Sequence, residues 1–343
     1  MMSGGVDSSV TAMLLRDAGF NVVGITMKIP MAECDTKRSC CGMEAVYVCR
    51  ALGLPHYYLD VTREFRSLVI EPFRRAYMAG RTPSPCVDCN TALKFGVVWD
   101  ALGPMRVATG HYAQVIREND NTYLARAKDV SRDQSYFLYG IRRDKLADLY
   151  LPLGDYTKTE VRRLARKAAL PVARREDSME LCFAGEGDYR DALGEEAFKP
   201  GPILDVRSNE IGRHKGVASF TIGQRKGIGV AAKEPLFVIG IDPAANSITV
   251  GPRDAALTNA VSAEEINVLI PEELKIGKRL AGKIRSQGDP CACAITRVED
   301  SRIEVNFDEP QFAPTPGQRL VLYDDQDRVV AGGVLEVRGN VSP

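Results

Sequence analysis

The feature that most constrains the fold is a regular alternation of short apolar runs with amphipathic segments along the first part of the chain. Apolar runs typical of buried strands lie at 22–27, 56–60 and 106–109. Helical patterns lie between them, at 7–17, 43–52 and 62–79. Strands that alternate in this way with helices indicate βαβ units and a parallel sheet. We therefore predict an α/β fold with a doubly wound parallel sheet for this region.

The pattern changes near Lys199-Pro200-Gly201-Pro202. Short alternating runs punctuated by Gly, Pro, Asp and Asn follow, at 236–241, 247–250, 279–284, 292–298, 302–307, 319–323 and 329–334. Such runs are typical of a small connecting module followed by an antiparallel β-barrel. The predicted domains are the α/β domain over 1–200, a connecting domain over 201–257, the barrel over 258–337 and a tail over 338–343.

Composition excludes several classes of protein. Hydrophobic residues make up 45% of the chain and charged residues 26%, proportions that are typical of a globular protein rather than a disordered or fibrous one. No run approaches ~18 apolar residues, so we predict no membrane span. Nine cysteines, an odd number in a chain without a secretory leader, do not suggest a disulfide framework. We therefore expect a cytoplasmic protein.

A Ser/Gly-rich motif, SGGVDSS at 3–9, stands immediately before the first helical pattern. Gly4 and Gly5 let the backbone approach a phosphate, and a helix N-terminus offers N–H groups and partial positive charge to it. Asp7 is well placed to hold Mg²⁺ beside such a phosphate. The alternative is a turn that only caps the helix. The motif resembles the pyrophosphate loop of ATP pyrophosphatases, which adenylate a carbonyl oxygen.

Three cysteines stand in further motifs. Cys86 and Cys89 form a C-x-x-C pair within TPSPCVDCN, and Cys182 lies in DSMELCF. Together with ATGHYA at 108–113, DQSYFL at 133–138 and TIGQRKG at 221–227, these segments resemble, in the same order, the tRNA-specific 2-thiouridylases of the pyrophosphate-loop ATP pyrophosphatase superfamily. The resemblance runs through nearly the whole chain.

The resemblance implies a sulfur transferase that acts on the wobble uridine of certain tRNAs, with ATP activating the C2 carbonyl as an adenylate. In this family a persulfide on the second cysteine, here Cys182, displaces AMP. The first cysteine, here Cys89, assists release of sulfur, either by attacking the persulfide or through a transient disulfide with Cys182. A thiolate or persulfide is a strong nucleophile near neutral pH. The implied partners are tRNA and a sulfur-donating protein or desulfurase relay.

The resemblance also implies binding residues, with ATP and Mg²⁺ as cofactors. Those for ATP are Met2, Ser3, Gly4, Gly5, Val6, Asp7, Ser8, Met27 and Gly110. Those for tRNA are Ser84, Pro85 and Cys86 near the target base, Arg132, Asp133 and Gln134 at the anticodon arm, and Arg285 and Ser286 in the barrel.

The chain departs from one version of the family pattern at Cys86, where some members have Asp. Cys86, Cys89 and Cys182 together are suitable ligands for three irons of a [4Fe–4S] cluster, whose fourth iron would hold sulfide. Alternatively, the persulfide route operates and Cys86 is a bystander. A structural zinc with a fourth ligand from Cys40 or Cys41 is the third alternative.

Basic residues cluster locally although the formal net charge is zero. The segment 158–175 holds seven basic residues against one acidic residue. Their helical spacing predicts a basic face for the phosphate backbone of tRNA. The alternative is a solvated helix face. The residues of the predicted face are Arg162, Arg163, Arg166 and Lys167, with Lys158, Arg174 and Arg175 in the same segment.

Only Met1 and Met2 precede the phosphate loop, whereas such a loop normally follows a buried central strand. Each apolar side chain of that strand would contribute ~1.5–3 kcal/mol, so we expect the natural start to lie upstream. Two other functions stay open. One is an ATP pyrophosphatase that adenylates a small-molecule carbonyl, and the other is a non-catalytic Fe–S or RNA-binding protein.

Overall fold

The computed structural model describes residues 1–30, 42–176, 182–183, 193–194 and 197–336. The chain divides into two compact units, each built from separate stretches of sequence. The first comprises Met1–Leu68, Cys86–Asp188 and Gln326–Val329, and the second Val69–Pro85, Tyr189–Asp325 and Val330–Pro343. Cys40, Cys41 and the predicted tail lie outside the described residues. In the described ranges no helix has the length and apolar character needed to cross a membrane.

The helices are α1 Val6–Asp17, α2 Met43–Leu52, α3 Thr62–Phe65, α4 Glu71–Met78, α5 Pro85–Asp88, α6 Trp99–Ala101 and α7 Lys158–Lys167. Two π-helical segments, Arg66–Ile70 and Cys89–Val98, continue directly from α3 and α5. The strands are β1 Gly24–Lys28, β2 His56–Asp60, β3 Val107–Ala108, β4 Gln114–Glu118, β5 Asn121–Ala125, β6 Leu149–Tyr150, β7 Gly201–Leu204, β8 Glu210–His214, β9 Phe237–Asp242, β10 Ser247–Gly251, β11 Leu257–Val268, β12 Arg279–Lys283, β13 Cys291–Val298, β14 Arg302–Phe312, β15 Arg319–Tyr323 and β16 Val329–Leu335.

The first unit contains two parallel strand pairs. β1 pairs with β2, and β3 pairs with β6, both in parallel register. Met2 donates its N–H to the Ile25 carbonyl at 2.7 Å, and the Met1 amino group donates to the Ala108 carbonyl at 2.6 Å. The phosphate loop therefore starts from a point that is hydrogen-bonded to both β1 and β3. The expected upstream start stays a prediction.

The core of the first unit lies among α1, α2 and α7. Val10, Val48, Val161 and Ala165 are completely buried there. Each comes from an apolar stripe that recurs at helical spacing, which explains why these segments are helices that pack together. This core fixes the N-terminal ends of α1 and α7 relative to each other.

The helical run that contains the C-x-x-C pair is irregular. It extends through α5, the π-helical segment and α6, and Gly96 within it has non-helical φ −94° and ψ −107°. A Cβ at Gly96 would lie 2.9 Å from the Thr91 carbonyl oxygen, so the irregularity requires glycine.

The second unit contains a small sheet and a barrel. The sheet has the order β8-β7-β10-β9, and Ile203, Val238 and Ile248 form its buried core. The barrel closes in the order β11-β14-β13-β12-β15-β16, with antiparallel neighbours throughout its described pairings. The α/β fold followed by a connecting module and an antiparallel barrel is thereby confirmed, whereas the exact domain boundaries stay a prediction.

Candidate functional site

The SGGVDSS motif forms the turn that enters α1. Gly4 adopts a left-handed φ of +75°, and a Cβ there would lie 3.1 Å from the Glu44 Cβ. The hydroxyls of Ser8 and Ser9 donate to the Gly5 carbonyl at 3.2 and 2.7 Å. The loop is thus held by its own serines at the N-terminus of a 12-residue helix. This arrangement favours binding of an anion such as a phosphate.

Asp7 in this loop is engaged by two side chains. Both carboxylate oxygens lie 2.8 Å from the Lys158 ammonium, and the Tyr112 hydroxyl donates to Oδ1 at 2.9 Å. Because a cation already contacts both oxygens, Asp7 does not fit the predicted role of a Mg²⁺ ligand. Lys158, which the sequence analysis counts in the basic segment 158–175 but not on its predicted face, has a side chain that is only 10% exposed and lies at the phosphate loop.

Two arginines of the predicted basic segment are also directed inward. Arg175 donates to the Gly4 carbonyl at 3.2 Å and pairs with Glu44 at 3.1 Å. Arg162 donates to the Arg175 carbonyl at 3.0 Å. The basic face is therefore smaller than predicted, because Lys158 in the first turn of α7 contacts Asp7 and Arg162 contacts the backbone of Arg175. Its exposed basic residues are Arg163, Arg166 and Lys167.

Other predicted ATP-binding residues surround the loop. A Cβ at Gly110 would lie 2.7 Å from the Ser8 nitrogen, so Gly110 packs directly against the first turn of α1. Met2 and Val6 are buried, at 5% and 4% exposure. Met27 is half-buried on β1.

The three predicted cysteines act on one another electrostatically. All three are free thiols; Cys89 is buried, and Cys86 and Cys182 keep exposed surface. Desolvation by the surrounding protein raises the pKa of all three thiols, that of Cys182 to about 12. Charge on Cys89 and on Cys86 contributes to this rise in the pKa of Cys182, after desolvation. The C-x-x-C pair and Cys182 thus lie within electrostatic range of one another, while the preceding residues of DSMELCF lie outside the described residues.

Lys94 is a site residue to which the sequence assigned no role. Its positive charge lowers the pKa of Cys86, of Cys89 and of Cys182. Its ammonium donates to Asn90 Oδ1 at 2.9 Å, and the buried Asn90 donates to the Phe137 carbonyl at 3.1 Å. The sequence offered no signal for this role beyond the position of Lys94, five residues after Cys89.

The predicted anticodon-arm residues have different environments. The Asp133 carboxylate, 1% exposed, accepts hydrogen bonds from the backbone N–H groups of Ala127 and Ser135 at 3.1 Å each. Gln134 accepts from the Tyr112 N–H at 2.9 Å. Both side chains hold the loop in this structure, and their contact with tRNA stays a prediction. Arg132 is exposed.

The remaining tRNA predictions lie in the second unit or at its edge. Arg285 donates to the carbonyls of Phe312 and Ala313 and stacks over the Phe312 ring at 5.8 Å, so the barrel uses its guanidinium internally. Ser286 is half-buried, and Ser84 and Pro85 are buried. Of the three residues predicted to lie near the target base, Ser84, Pro85 and Cys86, the exposed one is Cys86.

The described residues contain no group of three or more His, Cys, Asp or Glu side chains placed to hold a metal ion. Cys86, Cys89 and Cys182 do not form such a group in this arrangement, and the [4Fe–4S] cluster stays an untested alternative.

Comparison with known proteins gives matches along almost the full chain. Three family models match consecutive segments: "tRNA methyl transferase HUP domain" at 1–186, "tRNA methyl transferase PRC-barrel domain" at 192–252 and "Aminomethyltransferase beta-barrel domain" at 258–335. These ranges correspond to the α/β part, the small sheet and the closed barrel.

Full-length relatives carry a more specific name. A tRNA-specific 2-thiouridylase of Syntrophus aciditrophicus is 44% identical over 344 residues, covering 98% of this chain and 91% of that protein. One from Moorella thermoacetica is 42% identical over 352 residues, 98% of both chains. One from Roseiflexus castenholzii is 41% identical over 360 residues, 97% of this chain and 96% of that protein. The chain belongs to the family of tRNA-specific 2-thiouridylases.

Proposed function

We propose that this protein is an ATP-dependent tRNA-uridine 2-sulfurtransferase that thiolates the wobble uridine at C2. The observation that carries the proposal is that one compact unit holds both an anion-binding loop at the start of α1 and the three interacting thiols. Membership of the thiouridylase family supports the choice of tRNA as the substrate. The exposed Arg132 and the basic face of Arg163, Arg166 and Lys167 are the proposed backbone contacts.

In the first step, the phosphate loop binds ATP, and the uridine O2 attacks the α-phosphorus. An O–P bond forms, the bond to pyrophosphate breaks, and the uridine loses its N3 proton. Lys158 and Arg175 supply positive charge beside the loop, and Asp7 and Tyr112 orient the Lys158 ammonium. Such fixed charges stabilise a developing phosphate charge without reorganisation. Mg²⁺ would supply further charge on the phosphates; Asp7 is not proposed as its ligand.

In the second step, the terminal sulfur of a Cys182 persulfide attacks C2, and the C2–O bond breaks as AMP leaves. Cys89 then attacks the Cys182 sulfur, which forms a Cys89–Cys182 disulfide and releases 2-thiouridine. A dithiol reductant must restore both thiols, and a persulfide-carrying protein must reload Cys182. The Lys94 charge, which opposes the effect of desolvation on the pKa of these thiols, favours the thiolate form of Cys89 that this step requires.

Reconstituted thiolation of unmodified tRNA, followed by mass spectrometry of its nucleosides, tests this proposal. Cys89→Ser and Cys182→Ser should each abolish 2-thiouridine formation. The matched control, Cys291→Ser, changes a half-buried thiol on β13 and should leave the activity intact. ATP hydrolysis without thiolation of tRNA would instead favour a small-molecule ATP pyrophosphatase.

Substitution of Cys86 separates the persulfide route from the [4Fe–4S] alternative. Under the persulfide route, Cys86→Ser keeps activity in the same assay, and anaerobically purified protein is active without iron or acid-labile sulfide. If the wild-type protein instead contains stoichiometric iron, and Cys86→Ser loses both this iron and the activity, the persulfide route is wrong and the [4Fe–4S] cluster takes its place.

A further inference from the structure

The chain segment that leads into the C-x-x-C pair is held closely by the rest of the second unit. It begins at Gly80, whose left-handed φ is +66°. A Cβ at Gly80 would lie 2.8 Å from the Pro243 ring and 2.9 Å from the Ile241 side chain, so the backbone packs directly against the end of β9. The next residue, Arg81, pairs with Glu264 of β11 at 3.1 Å.

The turn before β15, residues Thr315–Gln318, holds the next two residues of the segment. The Thr82 N–H donates to the Pro316 carbonyl at 2.8 Å. The Gln318 amide donates to the carbonyls of Thr82 and Pro83 at 3.1 and 3.3 Å. Gly317 allows the approach, since a Cβ there would lie 2.9 Å from the Thr82 carbonyl oxygen. One short turn of the barrel thereby satisfies the backbone of Thr82 on both sides.

The TIGQRKG motif, to which the proposed chemistry assigns no role, contacts the same place. The Thr82 hydroxyl donates to the Thr221 hydroxyl at 3.4 Å, and the Thr315 hydroxyl contacts the Ile222 carbonyl at 3.4 Å. The beginning of the motif therefore lies against both the segment and the turn that holds it.

Covalent structure transmits this restraint along the chain. Pro83 and Pro85 fix their own φ angles, and each restricts the residue before it, Thr82 and Ser84, to extended backbone. The stretch from Thr82 to Pro85 therefore has little freedom to absorb a displacement. Cys86 follows directly in the sequence.

We propose that the Thr315–Gln318 turn is a clamp that positions the C-x-x-C pair, with Gln318 as the positioning residue that acts through Thr82 and Pro83. This inference rests on the proposed function in so far as the pair takes part in sulfur transfer. It explains why a barrel that carries none of the proposed catalytic groups belongs to the enzyme.

Gln318→Met tests the clamp, because methionine has a similar length and no hydrogen-bond donor. The matched control is Gln311→Met, which removes an amide that donates to the Glu309 carbonyl within its own strand at 3.0 Å. Amide hydrogen exchange of the full-length protein is measured without ATP or tRNA. We expect exchange at Thr82, Ser84 and Cys86 to accelerate about tenfold in Gln318→Met and not in the control. Exchange in β13 should stay unchanged in both.

The kinetic expectation is a fall of kcat for thiolation with an unchanged KM for ATP. Unaltered exchange at these three amides would overturn the clamp, and so would a uniform increase across the barrel strands, since that marks a purely structural role. If the wild-type protein fails to thiolate tRNA, the proposed function fails, whereas the exchange result still reports on the clamp.

A charge exchange provides a second variant that does not depend on Gln318. Arg81→Glu and Glu264→Arg should each accelerate exchange at Ser84 and Cys86, and the double variant should restore the wild-type rate. If the double variant exchanges as fast as the single ones, restraint through this segment is refuted.

Discussion

The pair between Asp7 and Lys158 allows the most quantitative test of the phosphate loop. Lys158→Met removes an ammonium that contacts both Asp7 oxygens at 2.8 Å, and leaves the carboxylate with the Tyr112 hydroxyl. Breaking a fully buried pair costs ~3–5 kcal/mol. Because Asp7 is 31% exposed, water compensates part of the loss, and we expect about 2 kcal/mol. This corresponds to a fall in Tm of about 4–8 °C for a unit of this size.

Thermal and urea unfolding of Lys158→Met, Asp7→Asn and the double variant measure this effect. Since both single variants remove the same contact, the double variant should lose clearly less than the sum, with a coupling of about 1–2 kcal/mol. The control is Asp17→Asn on the same helix, where Asp17 pairs with Arg16 at 53% exposure and should contribute less than ~1 kcal/mol.

Two results would refute the reasoning about Asp7. The first is strict additivity of the two substitutions. The second is an Asp7→Asn variant with unchanged stability whose ATP binding requires a much higher Mg²⁺ concentration, since that behaviour marks a metal ligand.

Three further outcomes are expected. Gly110→Ala should weaken ATP binding by at least ~tenfold in calorimetric titration, because its Cβ would lie 2.7 Å from the Ser8 nitrogen; equal affinity would contradict the close packing. The surrounding protein raises the pKa of Cys182 to about 12, so its thiolate fraction and its alkylation by iodoacetamide should increase about tenfold per pH unit between about pH 7 and about pH 9. A plateau in that range would show a lower pKa. Alanine at the exposed basic positions of α7 should reduce the salt dependence of tRNA binding by a slope of ~2–3, and an unchanged slope would exclude that face; those positions are Arg163, Arg166 and Lys167.

The sequence predicted those helices and strands whose formation depends mainly on their own residues. Gly53 ends α2 in a left-handed conformation, φ +69°, at the boundary that the helical pattern indicates. The apolar runs at 56–60 and 319–323 coincide with β2 and β15. Glycine stops and short apolar runs depend little on the rest of the fold, which is why they could be interpreted without it.

Elements stabilised by distant partners could not be predicted in this way. The 12-residue β11 contains Ala-Glu-Glu, which favours helix locally, and it is a strand because it pairs with both β14 and β16. Its Glu265 has φ +53° at an irregularity of the pairing. The π-helical segment of the C-x-x-C region likewise has no local signature in the residues.

The candidate site likewise combines features that the sequence predicted with features that it could not predict. The phosphate loop and the three cysteines are short motifs and were predictable, whereas the partners of their side chains were not. The sequence placed Lys158 in the basic segment 158–175, but only the packing of α7 against α1 shows that its ammonium faces Asp7. Asp133 is another example, because the sequence shows only a charged residue whereas the structure shows that its side chain is buried in its loop.

The central claim is that ATP activates the C2 carbonyl of the uridine so that sulfur displaces its oxygen. The most direct measurement uses tRNA whose wobble uridine carries ¹⁸O at C2, incubated with ATP and the Cys182-persulfidated protein, with mass spectrometry of the released AMP. We predict that the label appears in the phosphate of AMP, in equal amount to the 2-thiouridine formed. Thiolated tRNA accompanied by unlabelled AMP would contradict the claim.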